Sequence, residues 1–510
     1  MLATLSQSEV DTTNQLSYTE NGAIGYKTSG KELLDINFAI SSMRNMNEED
    51  IRRKYLRVFN EDKMLAVKWL FYARDCRSGV GERRLFRICL ELLSQNHIDI
   101  ARAVLSLVPE YGRWDDLFGL MKGNLQDDVF KIVKNQLKKD KINMNENKSI
   151  SLCAKWMPSG NTSSKETRKL ARIFIKKFKC SEKKYRQLLS ELRSYLKVIE
   201  VAMSAKKWDE INYAAVPSRA NLIYKKAFLR NDRERRLEYL EKLKKGETKI
   251  NSEVLFPHDI VHQYGTYNMN VDDTLEELWK GLPDYVQGNG NTICVVDTSG
   301  SMTTRASNNS NVSCMEVAYA LGVYFSEKSS GKFKNKFITF SSSPILVDFS
   351  DAKTLREKLN IIDKHSICSN TNIEAVFDLI LSHAKNNKLG QEELPNNILI
   401  LSDFEFDSMV NINRGERPTN TFFDNMKIRF KNNGYILPRL VFWNICGRSG
   451  TIPVQNNSLG VALVSGFSPA VTKMVLSNKT DPFECLLEQL NDKRYQPVED
   501  AIKDIISKSS

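Results

Sequence analysis

Two hydrophobic rhythms divide this chain. From about residue 31 to 245, apolar side chains recur at three- and four-residue intervals, as in Leu65, Trp69 and Tyr72, then Leu85, Ile88 and Leu92, then Val104 and Leu107. That is the spacing of helices with one buried face. Breaks at Ser78-Gly79-Val80-Gly81, Pro109, Pro158-Ser159-Gly160, Pro217 and Gly246 cut the stretch into helices of roughly 10–15 residues joined by short turns. The rhythm predicts an α-solenoid or helical-repeat array, a degenerate one because no repeated sequence is visible. From 291 the rhythm changes. Short apolar runs predict strands at 292–297, 336–340, 344–348, 397–402, 437–443 and 461–465. Helices fit between and after them at 314–327, 352–360, 373–385, 421–432, 469–476 and 482–491. Strand–helix alternation predicts a parallel sheet with helices on both faces. Residues 1–30 are polar and expected to be poorly ordered, and 251–290 read as a connector with one acidic helix.

At 510 residues and 41% hydrophobic, the chain is long enough for two or more domains with proper cores. Its first residues lack a charged start followed by an apolar stretch, so no secretory signal is expected. No apolar run is long enough to span a bilayer. Nine cysteines without a C-x-x-C pair point to reduced thiols and a cytoplasmic location rather than a disulfide framework or a zinc site. Five histidines, none at metal-ligand spacing, leave little for histidine-based catalysis.

Charge changes the picture further. The net charge of +12 is concentrated in residues 131–250, which carry 32 Lys and Arg against 13 Asp and Glu. Residues 291–510 are nearly balanced, at 24 against 23. A localised basic block is the footprint of a polyanion-binding surface. Its candidate residues are Lys176, Lys177, Lys179, Lys183, Lys184, Arg186, Lys206, Lys207, Arg219, Lys225 and Lys226. Aromatics interleave with them, including Trp156, Phe174, Phe178, Tyr185, Trp208, Tyr213 and Phe228. Basic groups neutralise phosphates and exposed rings stack on unpaired bases. Most of these rings also fit an ordinary helical core. Arg113, Asp115 and Asp116 around Trp114 read as inter-helix ion pairs.

The second candidate site lies in the strand–helix half. Asp297-Thr298-Ser299-Gly300-Ser301 follows the first apolar strand and sets three oxygen ligands on one loop. Thr371 stands at the start of a predicted helix, and Asp403 directly follows the strand Ile398-Leu399-Ile400-Leu401. Loops after strand carboxyl ends converge in an open α/β sheet, and such all-oxygen donors suit Mg²⁺ or another hard divalent cation. A phosphatase-type reading fails, because it needs an Asp at position 299, which is Ser. Asn444 and Ser465 follow strands at the same edge and are weak candidates to line the loop. Glu405 and Asp407 read as surface acids near the site.

The set D-x-S-x-S…T…D resembles the metal-ion-dependent adhesion site of von Willebrand factor A domains. The resemblance implies direct or near-direct ligation by Asp297, Ser299, Ser301 and Thr371, with Asp403 acting directly or through water. The fold expected is therefore an all-α, HEAT-like helical-repeat region at 31–250 followed by an α/β, doubly wound, Rossmann-like von Willebrand A domain at 291–510. A helical array ahead of such a domain resembles the Ro autoantigen family, whose helical part is the TROVE module.

Closer phrase-level similarity is to a Ro-related family found in plants, protists and large viruses. It is carried by Arg74-Asp75-Cys76-Arg77-Ser78-Gly79-Val80-Gly81-Glu82-Arg83, Gly112-Arg113-Trp114-Asp115-Asp116-Leu117, Ala154-Lys155-Trp156-Met157-Pro158-Ser159 and Ser402-Asp403-Phe404-Glu405-Phe406-Asp407. The resemblance implies a helical ring closed by the von Willebrand A domain, with RNA on the basic surface, a ribonucleoprotein component and not an enzyme. Two readings of the cation remain open: it captures an acidic side chain of a protein partner, or it only neutralises clustered carboxylates.

Overall fold

The computed structural model describes residues 16–18, 24–265, 270–286, 291–308, 310–340, 343–365, 373–404, 422–447, 450–453, 460–475, 479 and 481–508. They form two compact units, each assembled from two separated stretches: Glu48–Val254 with Asp492–Ser510, and Met1–Asn47 with Leu255–Asn491. The expected division at 31 and 291 is therefore displaced. The helix before Asn47 and the connector at 255–290 join the α/β unit, while the last helix joins the helical unit.

The helical unit contains Glu48–Glu61, Lys63–Arg74, Arg83–Asn96, Ile98–Val104, Gln126–Asn145, Lys165–Phe178, Glu182–Tyr195, Ser218–Asn231, Arg233–Lys244 and Gln496–Ser507. Local chemistry sets the breaks. Asp62 caps the second helix by accepting from the Leu65 N–H, and Ser164 and Ser181 do the same for the helices that follow them. At Gly79 an added Cβ would lie 2.1 Å from the Tyr72 carbonyl oxygen, so only glycine fits that turn.

Lys63–Arg74 is buried on nearly every side, and its charges are answered inside the unit. Lys68 pairs with Glu499 at 2.8 Å. Asp116 accepts from Arg74 at 2.8 Å, from Arg87 at 2.7 Å and from the Arg113 N–H at 3.0 Å. The acids after Trp114 thus act as inter-helix ion pairs. Buried charges persist only when paired and hydrogen-bonded in this way. Arg193 holds the Trp156-Met157-Pro158 turn by donating to the carbonyls of Ala154 at 2.9 Å and Met157 at 2.7 Å.

The α/β unit is built on a six-stranded sheet. Its strands are β3 (Thr292–Asp297), β4 (Lys336–Phe340), β5 (Leu346–Asp348), β6 (Asn397–Ser402), β7 (Arg439–Asn444) and β8 (Val461–Ser465), in the order β5-β4-β3-β6-β7-β8. All pairings are parallel except β4–β5. The sheet is therefore mixed rather than wholly parallel. Only five residues separate β4 from β5, too few for the crossover a parallel pair requires.

Helices Cys314–Lys328, Ile373–Asn386 and Phe422–Asn432 connect the parallel strands. Close approach is marked at Gly322, where an added Cβ would meet Val296 Cγ2 at 2.7 Å. Of the polar N-terminal segment 1–30, expected to be poorly ordered, positions 1–15 and 19–23 lie outside the described residues. The rest include an antiparallel pair, β1 (Leu16–Tyr18) and β2 (Ile24–Tyr26), joined to the unit by the Tyr26–Ile452 bridge. Among the described residues, no helix is long and apolar enough to cross a membrane, and the cysteines are free thiols.

Candidate metal centre and basic surface

The sheet order reverses direction at β3 and β6. From β3 the chain steps outward to β4 and β5, then returns to β6 on the other side. The carboxyl ends of two such neighbours frame the crevice in which open α/β sheets place their ligands. Asp297 ends β3 and Ser402 ends β6, one position beyond the Val296–Leu401 pair. Asp297 is buried. It accepts the Ser299 N–H at 2.9 Å on one oxygen and the Ser402 hydroxyl on the other. The Ser299 and Ser301 hydroxyls lie 2.9 Å apart. Asp403, also buried, follows Ser402.

Burial, with the charge of Asp403 as the second cause, pushes the Asp297 carboxyl up to about 7 against the opposing hydrogen bonds of Ser402 and Ser299. A buried carboxyl raised in part by the charge of a second buried acid belongs to a donor set that a cation relieves.

Of the five expected ligands, the structure brings together Asp297, Ser299, Ser301 and Asp403. Thr371, like the neighbouring acids Glu405 and Asp407, lies outside the described residues. Among the described residues no group of three or more His, Cys, Asp and Glu side chains gathers as a metal cage. The donors here are two carboxylates and two hydroxyls, which fits a hard cation that keeps some of its water.

Sequence reasoning missed Ser402. Its hydroxyl bonds to Asp297 and accepts the Phe404 N–H at 2.9 Å, and so ties the first carboxylate to the backbone beside the second. Phe404 has φ of 61°, an uncommon conformation for a bulky side chain. Its ring holds it there, wedged between Phe38 at 5.4 Å and Phe442 at 5.6 Å. The Cys314 thiol lies 3.8 Å from the Thr304 hydroxyl.

Asn444 and Ser465 do not line the loop; they are taken up by an N-terminal strap, residues 32–47. Asn444 donates to the Phe38 carbonyl at 2.9 Å and accepts from the Gly447 N–H at 2.6 Å. The Ser41 hydroxyl donates to the Asn444 carbonyl at 3.0 Å, lies 2.9 Å from the Ser465 hydroxyl and accepts from the Gly466 N–H at 2.9 Å. Arg44 stacks 3.6 Å above the Phe467 ring, and Asn45 accepts from the Asn308 N–H at 2.7 Å. The strap thus covers the β7–β8 side of the carboxyl edge, beside the β3–β6 crevice. Replacing Ser41 with Ala strands several buried polar groups, and the expected cost is about 1–3 kcal/mol, read as a lowered denaturation midpoint. An unchanged midpoint would show that the strap does not hold this edge.

On the helical unit, Lys176, Lys179, Lys183, Lys184, Arg186, Lys206, Lys207, Arg219 and Lys226 are exposed. Two expected residues differ. Lys225 is buried, because its position on Ser218–Asn231 turns toward the core between Asn221 and Phe228. Lys177 is half-buried and paired with Asp127. Lys207 is exposed but bonded to Glu210 at 2.6 Å. Phe174, Tyr185, Tyr213 and Phe228 are core residues and offer no face to a base; Trp156 and Trp208 are half-buried. Arg113 stacks 4.0 Å from the Trp156 ring.

The fold and site define a two-unit protein: a helical region and an α/β domain with acidic and hydroxyl side chains at its switch point. Residues 291–505 match a family described as Domain of unknown function (DUF7788), and residues 123–291 one described as Domain of unknown function (DUF2828). Uncharacterized protein L728 of Acanthamoeba polyphaga mimivirus is 30% identical over 524 residues, covering 95% of this chain and 88% of that protein. The chain belongs to the same family as this viral protein.

Proposed function

We propose that the chain is a non-enzymatic RNA-binding protein, with a von Willebrand A-type domain whose crevice holds Mg²⁺ or a similar divalent cation. The observation that carries the RNA reading is the helical unit's cluster of exposed lysines and arginines, set in a stretch where basic residues outnumber acidic ones by more than two to one. An ordinary solvated surface intersperses both signs. The resemblance to Ro-type proteins supports RNA ahead of DNA and a ribonucleoprotein setting, and the scattered cysteines without a C-x-x-C pair support the cytoplasm. Asp297, Ser299, Ser301 and Asp403 would hold the cation, with Thr371 as the fifth expected ligand. A bound cation supplies charge neutralisation and an open coordination position.

A second reading is favoured by the crevice itself. Ligands held at two strand ends leave coordination positions to water, and a carboxylate on a protein partner can replace one of these. In that reading the chain is an assembly module that captures an acidic partner.

Binding of nuclease-treated protein to RNA across a salt series, with Mg²⁺ and again with chelator, separates them. RNA binding predicts a log–log salt slope of several units that survives chelation. Binding no stronger than that of an unrelated basic protein would overturn the RNA reading and leave the assembly module.

A further inference from the structure

We infer that the phosphate track lies along one face of the helix Lys165–Phe178, formed by Lys165, Lys169, Arg172 and Lys176, and that its partner is the backbone of a single RNA strand. The inference rests on the RNA-binding reading above and assigns it a place.

These four residues are separated by four, three and four positions. At 100° per residue their directions fall within about 60° of one another, and at 1.5 Å per residue they extend along about 16 Å. All four are exposed. The opposite face is fixed: Ala171 and Phe174 are buried, Phe174 packs 5.3 Å from Phe118, and Phe178 packs 4.9 Å from Phe130. The helix cannot roll to hide its cations, so one positive group per turn stands on a rigid rod.

The usual explanation for such a stripe is solvation, and another helix of the unit shows what that looks like. On Arg233–Lys244, Lys242 pairs with Glu238 at 2.7 Å, Lys244 with Glu241 at 3.2 Å and Arg235 with Asp232 at 2.9 Å. There, each of these three cations has an acid of the helix or its cap as partner. On Lys165–Phe178 the only acid is Glu166, and among the described residues it pairs with one stripe member, Lys169, at 3.1 Å. A row of like charges disfavours the free helix, and a row of phosphates removes that penalty. Beyond the helix end, Lys179, in the left-handed region with φ of 51°, and Lys183 on the next helix are exposed as well.

A side chain that meets only phosphates carries no sequence information, so binding along this track is expected to be insensitive to base identity. The test uses the full chain and polyuridylate, comparing wild type with Lys165→Glu/Lys169→Glu/Arg172→Glu. The milder Lys165→Gln/Lys169→Gln/Arg172→Gln variant is run beside it in case charge reversal disturbs folding, which the melting curve of each variant reports.

Every phosphate of a single strand that is no longer neutralised flattens the slope of log K against log salt by about 0.7, so the triple variants are expected to lose about 2. Polyadenylate should show the same loss. A slope within error of wild type in a folded variant overturns the track while leaving RNA binding in place. A wild type that binds neither polymer overturns the RNA reading itself, and the track with it.

Discussion

Removing residues 492–510 is expected to unfold the helical unit at temperatures where the full chain remains folded. Asp75 is fully buried, and its carboxylate accepts from two nitrogens of Arg494 and from the Tyr495 hydroxyl at 3.4 Å. Without Arg494 a buried carboxylate loses its cation, a change that costs about 3–5 kcal/mol. The truncation also removes three buried side chains, Tyr495, Val498 and Ile502, each worth about 1.5–3 kcal/mol. Tyr495 stacks 5.9 Å from Tyr111 and meets Tyr72 edge-on at 6.0 Å. The summed loss rivals the whole stability of a typical domain, about 5–15 kcal/mol. Circular dichroism during urea titration would register it. A truncated chain whose midpoint stayed near that of the full chain would show that the terminal helix is an accessory. Arg494→Ala alone should move the midpoint in the same direction by less.

The second large effect concerns the proposed cation site and has opposite signs under two conditions. In chelator near pH 8, Asp297→Asn is expected to melt higher than wild type, because it removes one of two buried carboxylates. The folded state holds the Asp297 proton up to about 7, against an ordinary value of 3.8. The folded chain therefore binds more protons than the unfolded chain between these values, and its stability falls as pH rises through the window. The Asn variant lacks that decline. With Mg²⁺ at about a hundred times its dissociation constant, wild type should gain about 2.7 kcal/mol, while the variant gains much less. Differential scanning fluorimetry of both proteins near pH 8, with and without Mg²⁺, measures all four combinations. If wild type melts identically with and without Mg²⁺, the crevice is not a cation site.

Much of this arrangement is legible in the sequence because the signals are local. Ile293-Cys294-Val295-Val296 and Ile398-Leu399-Ile400-Leu401 are continuous apolar runs of the kind that fill central strands, so β3 and β6 emerge close to their observed limits. The acids that follow them then mark the crevice. The antiparallel edge is legible too, from the brevity of 341–345, but only if connection length is weighed alongside the strand runs. Lys225 is misplaced when a run of basic residues is taken without its helical phase. Asn221, Lys225 and Phe228 share the buried side at four- and three-residue spacing.

The strap and the terminal clamp escape for another reason. Ser41 finds Ser465 across 424 positions and Asp75 finds Arg494 across 419. Neither serine nor aspartate carries any mark of a partner so distant. Ser402 is overlooked because its role depends on which strand lies beside it.

The interleaving of the two units also has a consequence for synthesis. On the ribosome, Phe38 and Ser41 emerge early, yet the strand end that receives Ser41 follows 424 residues later. Asp75 likewise precedes Arg494 by 419 residues. Neither unit can complete its native set of partners until these distant residues, Ser465 for one and Arg494 for the other, have been translated. A growing chain therefore presents apolar helix faces and an unpaired carboxylate while the intervening 419 residues are made. That interval favours holding by a chaperone, and it makes the yield of folded protein sensitive to the speed at which the codons of Ser465 and Arg494 are reached.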